Sequence, residues 1–168
     1  VAGWCSQKIF AGPQIVQTRP APAQKERNAM PANALLPVAG KAQDLVFRVP
    51  AVGEILVRGG NRLLGRLAFH APLLGGKKSS DIRSICEQWF AFLNRNGISP
   101  SLESMDDESF VWSVSSCPYG FCRPEQWGVC DAAMDLDRTY LRLLGAGLVI
   151  KERIPQGTAK CLFVSRKL

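Results

Sequence analysis

The chain has 168 residues and a mass of 18.4 kDa, with 46% hydrophobic and 21% charged residues, a balance that excludes a disordered tail and a bundle of membrane spans and fits one folded domain. A chain this long buries about two thirds of the surface its unfolded form exposes, so its six cysteines are not needed as staples. The net charge of +7 arises entirely in the first part, since residues 1–98 carry 13 basic and 5 acidic side chains against 8 and 9 in residues 99–168. This points to an acidic partner surface, protein or anionic lipid, with nucleic acid unlikely because no binding signature accompanies the charge.

Residues 1–43 are rich in Pro, Ala, Gln and Gly, and Pro13, Pro20, Pro22, Pro31 and Pro37 interrupt regular structure. The expectation is an extended N-terminal arm that lies on its own domain or binds a protein partner, followed by a domain over 44–168. A basic helix is expected over 51–69: Pro50 suits a first turn, and Val52, Ile55, Leu56, Leu63 and Leu67 recur at helical spacing. Arg58, Arg62 and Arg66 form a stripe four residues apart, read either as a solvated face or as a docking face for an anionic membrane surface or an acidic partner. The lone His70 follows and reads as structural or exposed.

A second helix runs from Ser80 or Asp81 to Asn94, with Asp81 an apt cap, and Asn96-Gly97 ends it. Phe110, Trp112 and Val114 alternate with Val111, Ser113 and Ser115, the period of a strand that leads into Cys117-Pro118-Tyr119. A third helix spans Glu125 to Leu144, and the tail reads as a hairpin of residues 148–154 and 160–164 around Pro155-Gln156-Gly157. The fold class expected is α+β: three main helices with a small antiparallel sheet ending in a C-terminal hairpin. No run reaches the eighteen or so apolar residues of a spanning helix, and Val1-Ala2-Gly3-Trp4-Cys5 shows no charged leader before an apolar stretch. The expected location is cytoplasmic or peripheral to a membrane.

Chemistry is concentrated in the cysteine-rich region 116–163. Cys86 sits on an apolar helix face as a small hydrophobe, and Cys5 is uncommitted. Cys117, Cys122, Cys130 and Cys161 fall at a strand end, in the following loop, early in a helix and in the last strand, positions that an α+β fold can bring together. Four thiolates suit zinc or an iron–sulfur cluster equally well; disulfides Cys117–Cys122 or Cys130–Cys161, and thiols without metal, are the alternatives. Asp131 and Asp135 share a helix face, either solvated and paired with Arg138 and Arg142 or, with Asp137, turned toward a site as ligand or general base. Gly75-Gly76-Lys77-Lys78-Ser79-Ser80 lacks the glycine spacing of a phosphate loop.

The run Ser116-Cys117-Pro118-Tyr119, Cys130 opening a helix that contains Asp137 and Tyr140, Leu144-Gly145, a strand with Glu152, the Gly157 turn and Cys161-Leu162-Phe163 resembles the L-2-amino-thiazoline-4-carboxylic acid hydrolase family over about residues 80–168. That family is similar to the four-vinyl-reductase-type ligand-binding domains, whose cysteines and hairpin acid hold a structural zinc beside a small-molecule pocket. The resemblance implies cofactor ligands at Cys130 and Cys161, a hairpin acidic position at Glu152, and the family's Cys-Pro-Tyr at Cys117; Cys122 supplies a fourth thiolate outside the pattern. It implies hydrolysis of a small ring containing C–N or C–S bonds, with Asp137 or Glu152 handling protons. The alternative is a non-catalytic accessory subunit of a larger complex that docks through the arm and basic helix and uses the cysteines for a structural metal or iron–sulfur cluster.

Overall fold

The computed structural model describes residues 32–72 and 75–168. Its sheet grows from the alternation in strand β2 (Ser109–Val114), which buries Phe110, Trp112 and Val114 on one face. Strand β4 (Cys161–Lys167) pairs antiparallel with it, Trp112 opposite Phe163 and Val114 opposite Cys161, so Cys161, Phe163 and Ser165 point to the same side. Strands β1 (Ser101–Met105) and β3 (Ala146–Glu152) flank this pair in the antiparallel order β1-β2-β4-β3.

Helix α3 (Ile82–Arg95) covers that face. The Asp81 carboxylate caps it by accepting from the backbone N–H groups of Arg83 and Ser84, as its position in the sequence led us to expect. Trp89 and Phe92 stand against Trp112 at 5.6 Å and Tyr140 at 4.2 Å between ring centroids, and Trp112 stacks on Phe163 at 4.1 Å. Each fully buried large side chain contributes on the order of 1.5–3 kcal/mol. Trp112 donates to Ser165 Oγ at 3.1 Å, while Trp89 Nε1 is buried without a partner among the described residues.

The third helix expected over Glu125–Leu144 is divided into a 3-10 turn (Pro124–Gln126), α4 (Trp127–Ala133) and α5 (Asp135–Leu144). The Asp131 carbonyl, which a continuous helix would give to residue 135, accepts from Arg138 Nη1 at 2.9 Å. Gly145 ends α5 with φ 118°, and a Cβ there would strike the Ser79 carbonyl, so the segment before α3 closes directly over the helix end.

Among the described residues, two helices precede α3. Helix α2 (Gly53–His70) matches the basic helix of the sequence, whereas the arm expected over 1–43 is corrected: Ala32–Phe47 is helix α1, with Pro37 inside it. Residues 1–31, the rest of that arm, lie outside the described residues. Contacts made possible by glycines hold α1 in place: Gly40 sits against the Tyr119 carbonyl, and Gly128 of α4 admits the Phe47 ring, which an added Cβ would meet at 3.2 Å. Gly65 of α2 likewise allows α5 to approach, since a Cβ there would meet the Leu136 carbonyl at 2.7 Å.

Candidate functional site

Cys117, Cys130 and Cys161 line one small apolar cavity of ≈ 40 Å³, together with Asp137, Tyr119, Arg153 and aliphatic side chains. The sheet supplies Cys161, α4 supplies Cys130, and the turn in which Gly120 N–H bonds the Cys117 carbonyl supplies Cys117. Burial pushes the Cys130 thiol up to about 12. Burial also raises Cys117 and Cys161, partly offset by backbone N–H groups near Cys117 and by the Ile154 N–H, which donates to Cys161 Sγ at 3.4 Å. All three are held as neutral thiols near neutral pH. The Asp137 carboxyl, also buried, is pushed up to about 7, with the neighbouring Arg138 pulling the other way.

The remaining members of the expected site stand apart. Cys122 is exposed in a groove shared with Pro37, Gly40 and Asp44 of α1, not in the thiol cavity. Glu152 is half-buried at the end of β3 and does not line the cavity. Cys86, Cys117, Cys122, Cys130 and Cys161 are all free, so the disulfide alternatives are not formed. Among the described residues, no group of three or more His, Cys, Asp or Glu side chains is arranged to hold a metal ion. The four thiols expected as one ligand set are not brought together, since Cys122 lies in the α1 groove apart from Cys117, Cys130 and Cys161. His70 packs edge-on against Phe69, away from the cavity.

Two of the three arginines expected to form a docking stripe are ion-paired within the fold. Arg58 reaches Asp131 at 3.0 Å and Asp135 at 3.3 Å, and Arg62 Nε reaches Asp135 at 2.8 Å. Arg138 bridges both carboxylates at 2.8 and 2.9 Å, and Arg153, lying over the Trp127 ring, completes the cluster at 2.6 Å from Asp131. Burial alone would raise Asp131, but hydrogen bonds from Arg138 and Arg58 outweigh it and hold its carboxyl below the usual range. The acidic pair is therefore a clamp between α2 and the α4–α5 break, not a solvated face. Arg66 stays at the surface and, with Arg62, Arg138 and Arg142, rims an open cleft around Asp135.

Beside the exposed Glu54, Arg62 and Arg66, the outer side of α2 carries several large aliphatic side chains. Ile55, Leu56, Leu63, Leu64 and Leu67 are each more than half exposed, and Leu45 of α1 is 72% exposed. A groove of ≈ 240 Å³ between Val46 of α1 and Leu56, Gly60 and Leu64 of α2 joins the two helices into one surface. A contiguous uncovered face of this kind marks an interaction site more often than an accident of composition. The sequence shows Val52, Ile55, Leu56, Leu63 and Leu67 at helical spacing; the residues of α2 that are in fact buried are Gly53, Val57, Asn61 and Gly65.

No family model matches the chain, so the hydrolase-type resemblance stands on its short motifs alone. No curated protein matches it either. Solved structures do share the fold. One is the crystal structure of a trafficking protein particle complex subunit 3 from Naegleria fowleri covalently bound to palmitic acid, with a TM-score of 0.54 at 16% identity, spanning 82% of this chain and 95% of that one. The likeness is one of fold: an α+β architecture found in a subunit of a multi-protein particle. Among the described residues, no helix is long and apolar enough to cross a membrane.

Proposed function

We propose that this protein is a non-catalytic subunit of a multi-protein assembly, held there by the apolar outer face of α1 and α2. The observation that carries this reading is the set of six aliphatic side chains from two adjacent helices, each more than half exposed, with Arg58 drawn to Asp131 and Asp135. Left in water, such a surface invites association; covered by a partner, each buried aliphatic group contributes on the order of 1.5–3 kcal/mol. The fold likeness to a particle subunit supports the same reading.

The small cavity lies in the packed interior between β4, α4 and the Cys117 turn, with Asp137 buried in its wall.

The test is native isolation of the tagged full chain from its own cells, wild type beside Leu56→Arg/Leu63→Arg. Both positions are exposed, so the variant is expected to fold as the wild type does. The wild-type chain is expected in a stable complex that the double variant loses. A wild-type chain recovered alone, or a complex indifferent to both arginines, overturns the proposal.

A further inference from the structure

Helix α5 runs along a basic groove that the aliphatic face of α1 and α2 does not include. An open cleft of ≈ 700 Å³ lined by Arg62, Arg66, Arg138 and Arg142 meets a second cleft of ≈ 460 Å³ lined by Lys78, Arg142 and Lys167. Arg142 belongs to both, so the two are continuous. The lining residues of α5 and its cap, from Asp135 to Gly145, extend over about 15 Å, ten residues at about 1.5 Å each.

Six cations line this groove against one acidic side chain, Asp135. That carboxylate is already shared by Arg58, Arg62 and Arg138, at 3.3, 2.8 and 2.9 Å. Lys167 comes no closer than 3.9 Å to Glu108. Arg66, Arg142 and Lys78 are exposed and have no ion-pair partner among the described residues. Like charges gathered in this way repel one another, and an anion between them relieves the repulsion. The backbone holds them in place: Ser79, next to Lys78, donates its N–H to the Leu144 carbonyl at 2.8 Å, and Leu168, next to Lys167, donates to the Gly145 carbonyl at 3.0 Å. With the Leu141 carbonyl accepting from the Gly145 N–H, the carbonyls at the end of α5 are satisfied and do not repel an incoming anion.

Shape and lining select the occupant. Cations spread over about 15 Å exceed one small anion and match four or five residues of extended chain at about 3.3 Å each. The groove is concave where a lipid surface is flat, and no aromatic ring lines it for bases to stack on. Arginine pairs with carboxylates through two parallel hydrogen bonds. We infer that the groove along α5 takes an acidic segment of a partner protein, with Arg66 and Arg142 binding its carboxylates. This goes beyond the subunit reading, involves other residues and stands or falls separately.

The experiment follows the fluorescence anisotropy of a labelled hepta-glutamate peptide titrated with the purified full chain, beside hepta-glutamine as the neutral control. The chain is expected to bind the acidic peptide alone, with affinity falling as salt rises. Arg66→Gln/Arg142→Gln, at exposed side chains without partners, is expected to keep the wild-type circular-dichroism spectrum and to lose about tenfold in affinity. Arg66→Lys/Arg142→Lys is expected to retain more affinity than the Gln pair. Lys41→Gln/Lys151→Gln removes the same charge at exposed positions outside the groove and is expected to bind within about twofold of the wild type. Absence of binding, or equal losses in the two Gln variants, overturns the inference. Phosphatidylserine vesicles or oligothymidylate bound through Arg66 and Arg142 in preference to the peptide overturn it in favour of lipid or nucleic acid. A chain that binds the peptide through these arginines yet is isolated alone from its cells overturns the subunit reading and leaves the groove standing. A chain isolated in a complex yet indifferent to the peptide overturns the groove alone.

Discussion

Asp137 to Asn is the substitution whose effect the structure sets most closely. The Asp137 carboxyl is buried beside Cys117, Cys130, Tyr119 and Arg153 and pushed up to about 7, against about 3.9 for an Asp in an unfolded chain. Between those values the folded protein holds a proton that the unfolded chain releases. Stability from this group is therefore fully present below the unfolded value and is lost as pH rises through the folded one. Three units at about 1.4 kcal/mol each set a ceiling near 4 kcal/mol, which relaxation around the cavity reduces to roughly 2–4 kcal/mol. Asn keeps the shape and stays neutral, so the variant is expected to match the wild type near pH 4.5 and to exceed it by that amount at pH 8. Urea denaturation followed by tryptophan fluorescence across this range measures the difference, and acid effects on Asp131 cancel because both proteins share them. A difference that is constant with pH, or one that grows in favour of the wild type as pH rises, refutes the reasoning by placing an ionised Asp137 in the fold.

Other perturbations have defined outcomes. Asp135→Ala leaves Arg58, Arg62 and Arg138 without a carboxylate only 6% exposed, and should cost about 3 kcal/mol in chemical denaturation. Arg62→Gln, at a side chain 59% exposed, should cost under about 1 kcal/mol in the same assay. In a Cys5→Ser background, maleimide is expected to label the exposed Cys122 first. Cys86 and Cys130, held up to about 11 and about 12 by burial, should label only as the protein unfolds. Gly65→Ala should destabilise by over about 1 kcal/mol through the Leu136 carbonyl.

Local signals in the sequence were sufficient where they were strong and mutually consistent. The Asp81 cap and the apolar face of Ile85, Trp89 and Leu93 place α3 within a residue of where it lies, and the β2 alternation and the Gly157 turn place three of the four strands in the sheet. Helix α1 was illegible because Pro37 and Gly40 argue against it locally; its order comes from the docking of Gly40 and Phe47 onto α4 and the loop before it, a tertiary contact with no sequence period. Strand β1 was missed for the same reason, since Ser101–Met105 is mostly exposed and shows no inward alternation.

The site was half legible. Spacing brought Cys117, Cys130, Cys161 and Asp137 to one cavity, but it carries no information about depth, and depth sets the protonation of those thiols. Arg58, Arg62 and Arg66 look alike in sequence at intervals of four. In the fold Asp131 and Asp135 pair with the first two, while Arg66 stays at the surface. Those pairings, made across elements far apart in the chain, are what set Arg58 and Arg62 apart from Arg66.

The most direct measurement of the central claim is side-chain footprinting of the native, affinity-isolated protein against its Leu56→Arg/Leu63→Arg variant. The account predicts that Leu45, Leu56, Leu63 and Leu67 are protected from hydroxyl-radical oxidation in the wild type and become as reactive as their exposure implies in the variant, with Cys122 equally reactive in both. Equal, full reactivity of the four leucines in both samples would contradict it.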